Sequence, residues 1–127
     1  MLLYVDDEET IGRAVARWFE RRGHIVHQAR SLSDARNLLG SNDPDAIFID
    51  VWLGTESGFE LLAWIEDTRP HLAERVVFVT GELADSDVEQ GRIWRTLGRP
   101  VVRKPFDFKQ LEAYAVVAED AEQGTGT

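Results

Sequence analysis

The sequence predicts an α/β protein, a doubly wound (βα)5 three-layer sandwich in which helices cover both faces of a five-stranded parallel sheet. Three observations carry this. Short, continuous apolar runs recur at Leu2-Leu3-Tyr4-Val5, Ala46-Ile47-Phe48-Ile49, Val76-Val77-Phe78-Val79 and Val101-Val102. Unbroken runs of this length read as parallel strands buried on both faces. Segments of helical periodicity alternate with them. Finally, each run ends in residues able to do chemistry: Asp6-Asp7, Asp50, Thr80 and Lys104-Pro105. Ligand sites in open α/β sheets lie outside the carboxyl ends of the strands, so four distant segments are expected to converge on one polar pocket.

In chain order, the first strand leads into a helix expected to start near Glu8 to Thr10. Ile11, Val15, Trp18 and Phe19 then fall on one stripe, and Gly23 stops the helix. His24 to Ala29 reads as the second strand, centred on Ile25 and Val26, and a short helix runs from about Ser33 to Leu39 before Gly40. Asn42-Asp43-Pro44 is a turn signal. After the third strand, Ser57-Gly58-Phe59-Glu60 has the spacing of a capping box and opens a helix presenting Leu61, Leu62 and Ile65, which ends before Pro70. Further boxes stand at Ser86 to Glu89 and Asp107 to Gln110. The helix expected from about Asp85 to Leu97 has an imperfect stripe of Val88, Ile93, Trp94 and Leu97, interrupted by Gly91, which makes it weakly packed and able to move. The last helix carries Leu111, Tyr114 and Ala118. Residues 1–118 are read as one domain, and 119–127, acidic and almost free of apolar side chains, as a disordered tail.

Composition narrows the function classes. A chain of 127 residues with 43% hydrophobic and 29% charged side chains is about one ordinary globular domain. No apolar stretch reaches the about 20 residues that span a bilayer. Met1 running directly into a strand gives the expectation of no signal peptide. The absence of cysteine rules out disulfides, thiol nucleophiles and thiolate metal sites, and a cytoplasmic location is expected. The formal net charge of −9, from 14 basic and 23 acidic side chains, argues against direct nucleic-acid binding.

Three carboxylates in one pocket repel each other unless a cation intervenes. Mg²⁺ takes oxygen ligands, keeps several waters and is commonly held by one or two carboxylates plus a phosphate, which suits Asp6, Asp7 and Asp50. Lys104 adds a compact positive charge able to pair with a phosphoryl oxygen, and Thr80 a hydroxyl donor. Phosphoryl transfer needs mainly in-line positioning and charge neutralisation, and Asp50 is the best candidate for the nucleophile.

These residues, in this order, resemble the receiver domain of two-component response regulators, from about Leu2 to Ala118. The resemblance implies a flavodoxin-like fold with strand order 2-1-3-4-5. It implies Asp50 as phosphoacceptor for a phosphohistidine on a sensor histidine kinase or histidine phosphotransfer domain, with Thr80 and Lys104 holding the acyl phosphate. Mg²⁺ would be bound by Asp7, by Asp6 through water, by Asp50, and by the backbone carbonyl of Trp52. Gly58 matches the family's loop glycine, Gly81 the small residue after the threonine, and Lys104-Pro105 a peptide bond that is usually cis. It further implies a downstream protein target engaged through the helix from Asp85, the fifth strand and the last helix. Two positions depart from the pattern. Leu53-Gly54 stand where the family usually has Met-Pro, implying a more mobile loop. Val101 takes the place of a frequent aromatic toggle, as in receivers attached to hybrid sensor kinases.

Other readings compete. A phosphohydrolase of the haloacid-dehalogenase type also uses a strand-end aspartate with Thr, Lys and Mg²⁺, but needs a second carboxylate two residues on, where this chain has Trp52. A flavin binder would need a phosphate loop in place of Asp6-Asp7-Glu8-Glu9. A degenerate receiver would not retain every reactive position. Taken singly, Asp6-Asp7 could cap a helix, Thr80 could be a strand-end hydroxyl and Lys104-Pro105 a turn. His24 and His27 would point to opposite faces of a strand, His71 stands alone, and Arg21-Arg22 reads as a solvated helix end. Trp18 and Trp64 are expected in or near the core.

Overall fold

A computed structural model of the protein describes residues 1–81 and 98–115. Its strands are β1 (Leu2–Val5), β2 (Val26–Ala29), β3 (Ala46–Asp50), β4 (Trp52–Leu53), β5 (Glu56–Ser57), β6 (Val76–Thr80) and β7 (Val101–Arg103). Its helices among the described residues are α1 (Glu9–Glu20), α2 (Leu32–Ser41), α3 (Gly58–Thr68), a 3-10 helix (Pro70–Arg75), and α4, described over 108–115. The expected helix from Asp85 to Leu97, the box at Ser86 to Glu89, Ala118 and the tail lie outside the described residues. No helix among the described residues is long and apolar enough to cross a membrane.

Five strands pair in parallel in the order β2-β1-β3-β6-β7. With the short β4–β5 pair set aside, this is the order 2-1-3-4-5, and the fold is flavodoxin-like. Alternation along the strands divides the core in two. Leu3, Val5, Ile47, Ile49, Val76 and Phe78 pack in the cluster with Leu32, Leu39, Leu61 and Ile65 of α2 and α3. Leu2, Tyr4, Phe48, Val77, Val79 and Val102 pack in the other, with Val15 and Phe19 of α1 and Leu111 of α4. Both faces of the sheet are covered, which is why its strands read as unbroken apolar runs.

The ends of the elements follow local chemistry. Past α1, the Gly23 N–H bonds the Glu20 carbonyl and the His24 N–H bonds the Phe19 carbonyl, a Schellman closure with Gly23 at φ 89°. Ser31 Oγ caps α2 by accepting from the Asp34 N–H. The Asp107 box closes reciprocally: Asp107 Oδ1 accepts from the Lys109 N–H, and Gln110 Oε1 accepts from the Asp107 N–H. At α3, Ser57 Oγ accepts from the Phe59 N–H.

Three details differ from the sequence reading. The second strand is shorter, and Ile25, expected at its centre, precedes it and is 66% exposed. An edge strand pairs on one side only, so alternation there is a weak guide to burial. The segment after Asp50 is a hairpin in which Trp52 pairs with Ser57 and Leu53 with Glu56. Gly54, at φ 63°, supplies the left-handed residue of the tight turn. The stretch from Pro70 is a further helical turn, ended by a bond from the Val76 N–H to the Ala73 carbonyl.

Candidate functional site

The register brings the reactive residues together. Val5 pairs with Ile49, so Asp6 and Asp50, one step further along adjacent strands, leave the sheet side by side. Asp50 is level with Val79, and Val79 with Val102, two residues before Lys104. Tyr4 and Asp6 share a face by the two-residue strand period, as do Phe48 and Asp50. Thr80 ends β6 in register with Arg103 and is buried, and its carbonyl accepts from the Lys104 N–H at 2.7 Å. Gly81 lies beside the lysine stem, and the Lys104–Pro105 bond is cis.

Lys104 Nζ donates to Asp6 Oδ2 at 2.8 Å and to Asp50 Oδ2 at 2.8 Å, and lies 3.3 Å from Glu8 Oε1. The lysine thus spans β1 and β3 with almost all of its length buried. Asp6 is held at both oxygens: the Glu8 N–H donates to Oδ1 and the Tyr4 hydroxyl to Oδ2, each at 2.9 Å. Asp50 Oδ1 accepts from the Trp52 N–H at 3.1 Å. The Trp52 indole is 48% exposed at the rim, and Asp7 is exposed.

Burial is the dominant influence on Asp50 and raises its pKa. Hydrogen bonds from Lys104 and the Trp52 N–H oppose it, the Asp6 charge adds to it, and the net result is about 6, up from 3.8. Burial alone would lower the Lys104 pKa, but its bonds to Asp50 and Asp6 outweigh that, and the ammonium is held above its ordinary range. Burial, then the charge and hydrogen bond of Asp6, push the Tyr4 hydroxyl far up, so it remains a donor.

One oxygen each from Asp6, Asp7 and Asp50 lie within 4.8 Å of one another. Ligands of a single Mg²⁺, bound at about 2.1 Å, lie at most roughly 4.2 Å apart, so three hard oxygen donors come close to the spread one ion spans. In donor chemistry, three carboxylate oxygens, the set suits a hard cation such as Mg²⁺.

Gly58 is required by the same local geometry. A Cβ there would lie 2.3 Å from the Asp50 carbonyl oxygen and 2.8 Å from Ile49 Cγ2. The Gly58 N–H bonds the Val51 carbonyl at 2.8 Å, seating α3 directly against the end of β3. The sequence reading brought Asp6, Asp50, Thr80 and Lys104 to the same strand ends, and the structure does so too. Tyr4, in the sequence only a strand residue, and Glu8, only a helix start, also belong to the site. The signal for Tyr4 was its polar atom two residues before Asp6, on the same strand face.

Comparison with known proteins agrees with the geometry. Residues 2–116 match the family described as the response regulator receiver domain. The heme response regulator HssR of Staphylococcus saprophyticus is 31% identical over 86% of this chain and 46% of its own length. The nitrogen assimilation regulatory protein NtrX of Azorhizobium caulinodans is 31% identical over 87% of this chain and 24% of its own. The chain therefore spans less than half the length of these relatives. Among solved structures, the receiver domain of NtrX from Brucella abortus is 28% identical, with a TM-score of 0.77, covering 93% of this chain and 97% of that one. A response regulator protein from Burkholderia pseudomallei, solved with a phosphorylated aspartic acid, calcium ion and citrate, is 28% identical, with a TM-score of 0.74, covering 98% and 71%. With strand order, acidic cluster and family match in agreement, this chain belongs to the response regulator receiver domain family and is a phosphoacceptor domain of two-component signalling.

Proposed function

We propose that Asp50 is the phosphoacceptor of this domain, and that it takes a phosphoryl group from a phosphohistidine on a sensor histidine kinase or histidine phosphotransfer domain. The observation that carries this is the shared Lys104 bridge: a buried strand-end carboxylate tied to a lysine, with two more carboxylates beside it. Asp6, Asp7, Asp50 and the Trp52 carbonyl would hold Mg²⁺, which would supply charge neutralisation for the transferring group. The relative solved with a phosphorylated aspartic acid and a calcium ion supports both parts of the reading.

An Asp50 oxygen forms the new bond to phosphorus as the bond from phosphorus to the donor imidazole breaks. The Trp52 N–H and Lys104 fix the carboxylate before the reaction, which removes the cost of orienting it. Lys104 then pairs with a phosphoryl oxygen and Thr80 donates its hydroxyl to another. Loss of Lys104 from the Asp6 and Asp50 carboxylates alters the β7 end of the sheet. That change biases a protein-interaction face that includes β7 and α4 and binds a downstream target. Val101, half-buried and level with Phe78, stands in place of an aromatic toggle, so switching here runs through packing of a smaller side chain.

The domain acts in the cytoplasm as a signalling module rather than as a turnover enzyme. Trp52 cannot serve as the acid that phosphohydrolysis requires, and dephosphorylation is confined to slow attack by water. Incubation with Mg²⁺ and acetyl phosphate, followed by intact mass measurement, is expected to give one labile phosphoryl adduct on the parent chain and none on Asp50→Asn. Equal labelling of the variant refutes Asp50 as the nucleophile.

A further inference from the structure

We infer that Tyr4 is a positioning residue of the cation site, its hydroxyl locking the Asp6 carboxylate in the orientation that the metal requires. The inference rests on the reading of Asp6, Asp7 and Asp50 as a Mg²⁺ site and adds a residue to it.

Tyr4 is 1% exposed and sits in a cluster whose other fully buried members are hydrocarbon side chains or alanine methyls, its ring 6.5 Å from that of Phe48. Packing alone asks only for a phenyl ring there. The hydroxyl nevertheless reaches out of that cluster to Asp6 Oδ2 at 2.9 Å, the oxygen that also takes Lys104 Nζ at 2.8 Å. Asp6 Oδ1 takes the Glu8 N–H at 2.9 Å. Two of these three donors have fixed positions. Tyr4 is set by β1 and the core beneath it, and the Glu8 N–H by the backbone leading into α1. The third, Lys104, is a flexible stem that the proposed reaction moves to a phosphoryl oxygen.

With the lysine withdrawn, the tyrosine hydroxyl is the side-chain donor that still holds Oδ2 among the described residues. The carboxylate is then gripped at one end from β1 and at the other from the loop, and it cannot rotate to follow the lysine. Oδ1 carries one donor and Oδ2 two, so Oδ1 is the oxygen with acceptor capacity to spare for a cation or its water. Losing a group that orients a metal-ligating carboxylate from behind costs metal affinity or activity; here the Tyr4 hydroxyl touches only Asp6 and not Asp50, so affinity is where its loss is read.

The test is Tyr4→Phe, which keeps the ring and removes only the oxygen. Mg²⁺ binding is measured by calorimetry with MgCl2, and acetyl phosphate labelling is followed across Mg²⁺ concentrations in parallel. Calorimetry is expected to show Mg²⁺ affinity weakened about tenfold. The Mg²⁺ concentration for half-maximal labelling should shift by the same factor, and the rate at saturating Mg²⁺ should equal that of the parent. A variant that melts lower yet binds Mg²⁺ like the parent has lost only a packing or burial contact, and the inference fails. A fall in the saturating rate without a change in affinity also overturns it. If the parent itself binds no Mg²⁺, the cation-site reading fails and takes this inference with it.

Discussion

Asp50 is pulled in two directions, and the balance is measurable. Burial favours its neutral form, Lys104 and the Trp52 N–H favour the ion, and burial prevails, raising the pKa from 3.8 to about 6. A carboxyl with a higher pKa in the folded state binds more protons folded than unfolded between the two values. Its contribution to stability therefore falls as pH rises through that window. In metal-free buffer, the unfolding free energy of the parent minus that of Asp50→Asn is expected to drop by about 2–3 kcal/mol between roughly pH 4 and pH 6. Denaturant titrations at a series of pH values check this, and a flat or rising difference contradicts it. Asp6, Asp7, Asp50, Thr80 and Lys104 were legible in the sequence because each ends an apolar run. Glu8 was not, because nothing in a linear pattern says which neighbour a loop glutamate reaches, and for Tyr4 the two-residue spacing puts its side chain on the face of Asp6 without saying that the hydroxyl reaches the carboxylate.

At the scale of elements, β3 and α3 meet closely at Gly58. A Cβ at Gly58 meets backbone, the Asp50 carbonyl oxygen at 2.3 Å, so relief requires α3 to move away from β3. Gly58→Ala is expected to cost about 1–3 kcal/mol, the usual penalty of overpacking, and to slow phosphoryl labelling because the displaced strand end carries Asp50. Chemical denaturation and the acetyl phosphate assay report the two effects, and parental values in both remove the tight joint from the account. Helix starts were readable from Ser57 and Asp107 because caps are local chemistry. The β4–β5 hairpin is not legible in Leu53-Gly54, where the family pattern implies a mobile loop, whereas Gly54 in the left-handed region forms a two-residue turn. Ile25 was misassigned because an edge strand pairs on one side and its apolar run is short.

Over the whole molecule, an acidic chain gathers the carboxylates of Asp6, Asp7 and Asp50 at one rim of the sheet. A ligand that binds only the folded state stabilises it by mass action, so Mg²⁺ at a hundredfold excess over its dissociation constant should add about 2.7 kcal/mol. Thermal melts across MgCl2 concentrations are expected to shift upward for the parent and to stay nearly level for Asp7→Asn. An equal shift in both would point to diffuse screening of the net charge instead of a site. The layered architecture was legible because doubly covered strands are apolar throughout and alternate with helical stripes. The division of the core into two clusters required the register, which the sequence does not carry.

The central claim is that the phosphoryl group resides on one particular carboxylate of that rim. The most direct measurement is to phosphorylate the domain with Mg²⁺ and acetyl phosphate, reduce the acyl phosphate with borohydride, and map the product by peptide mass spectrometry. Reduction converts a phosphorylated aspartate into homoserine. The account predicts homoserine at position 50 alone; homoserine at position 6 or 7, with Asp50 intact, would contradict it.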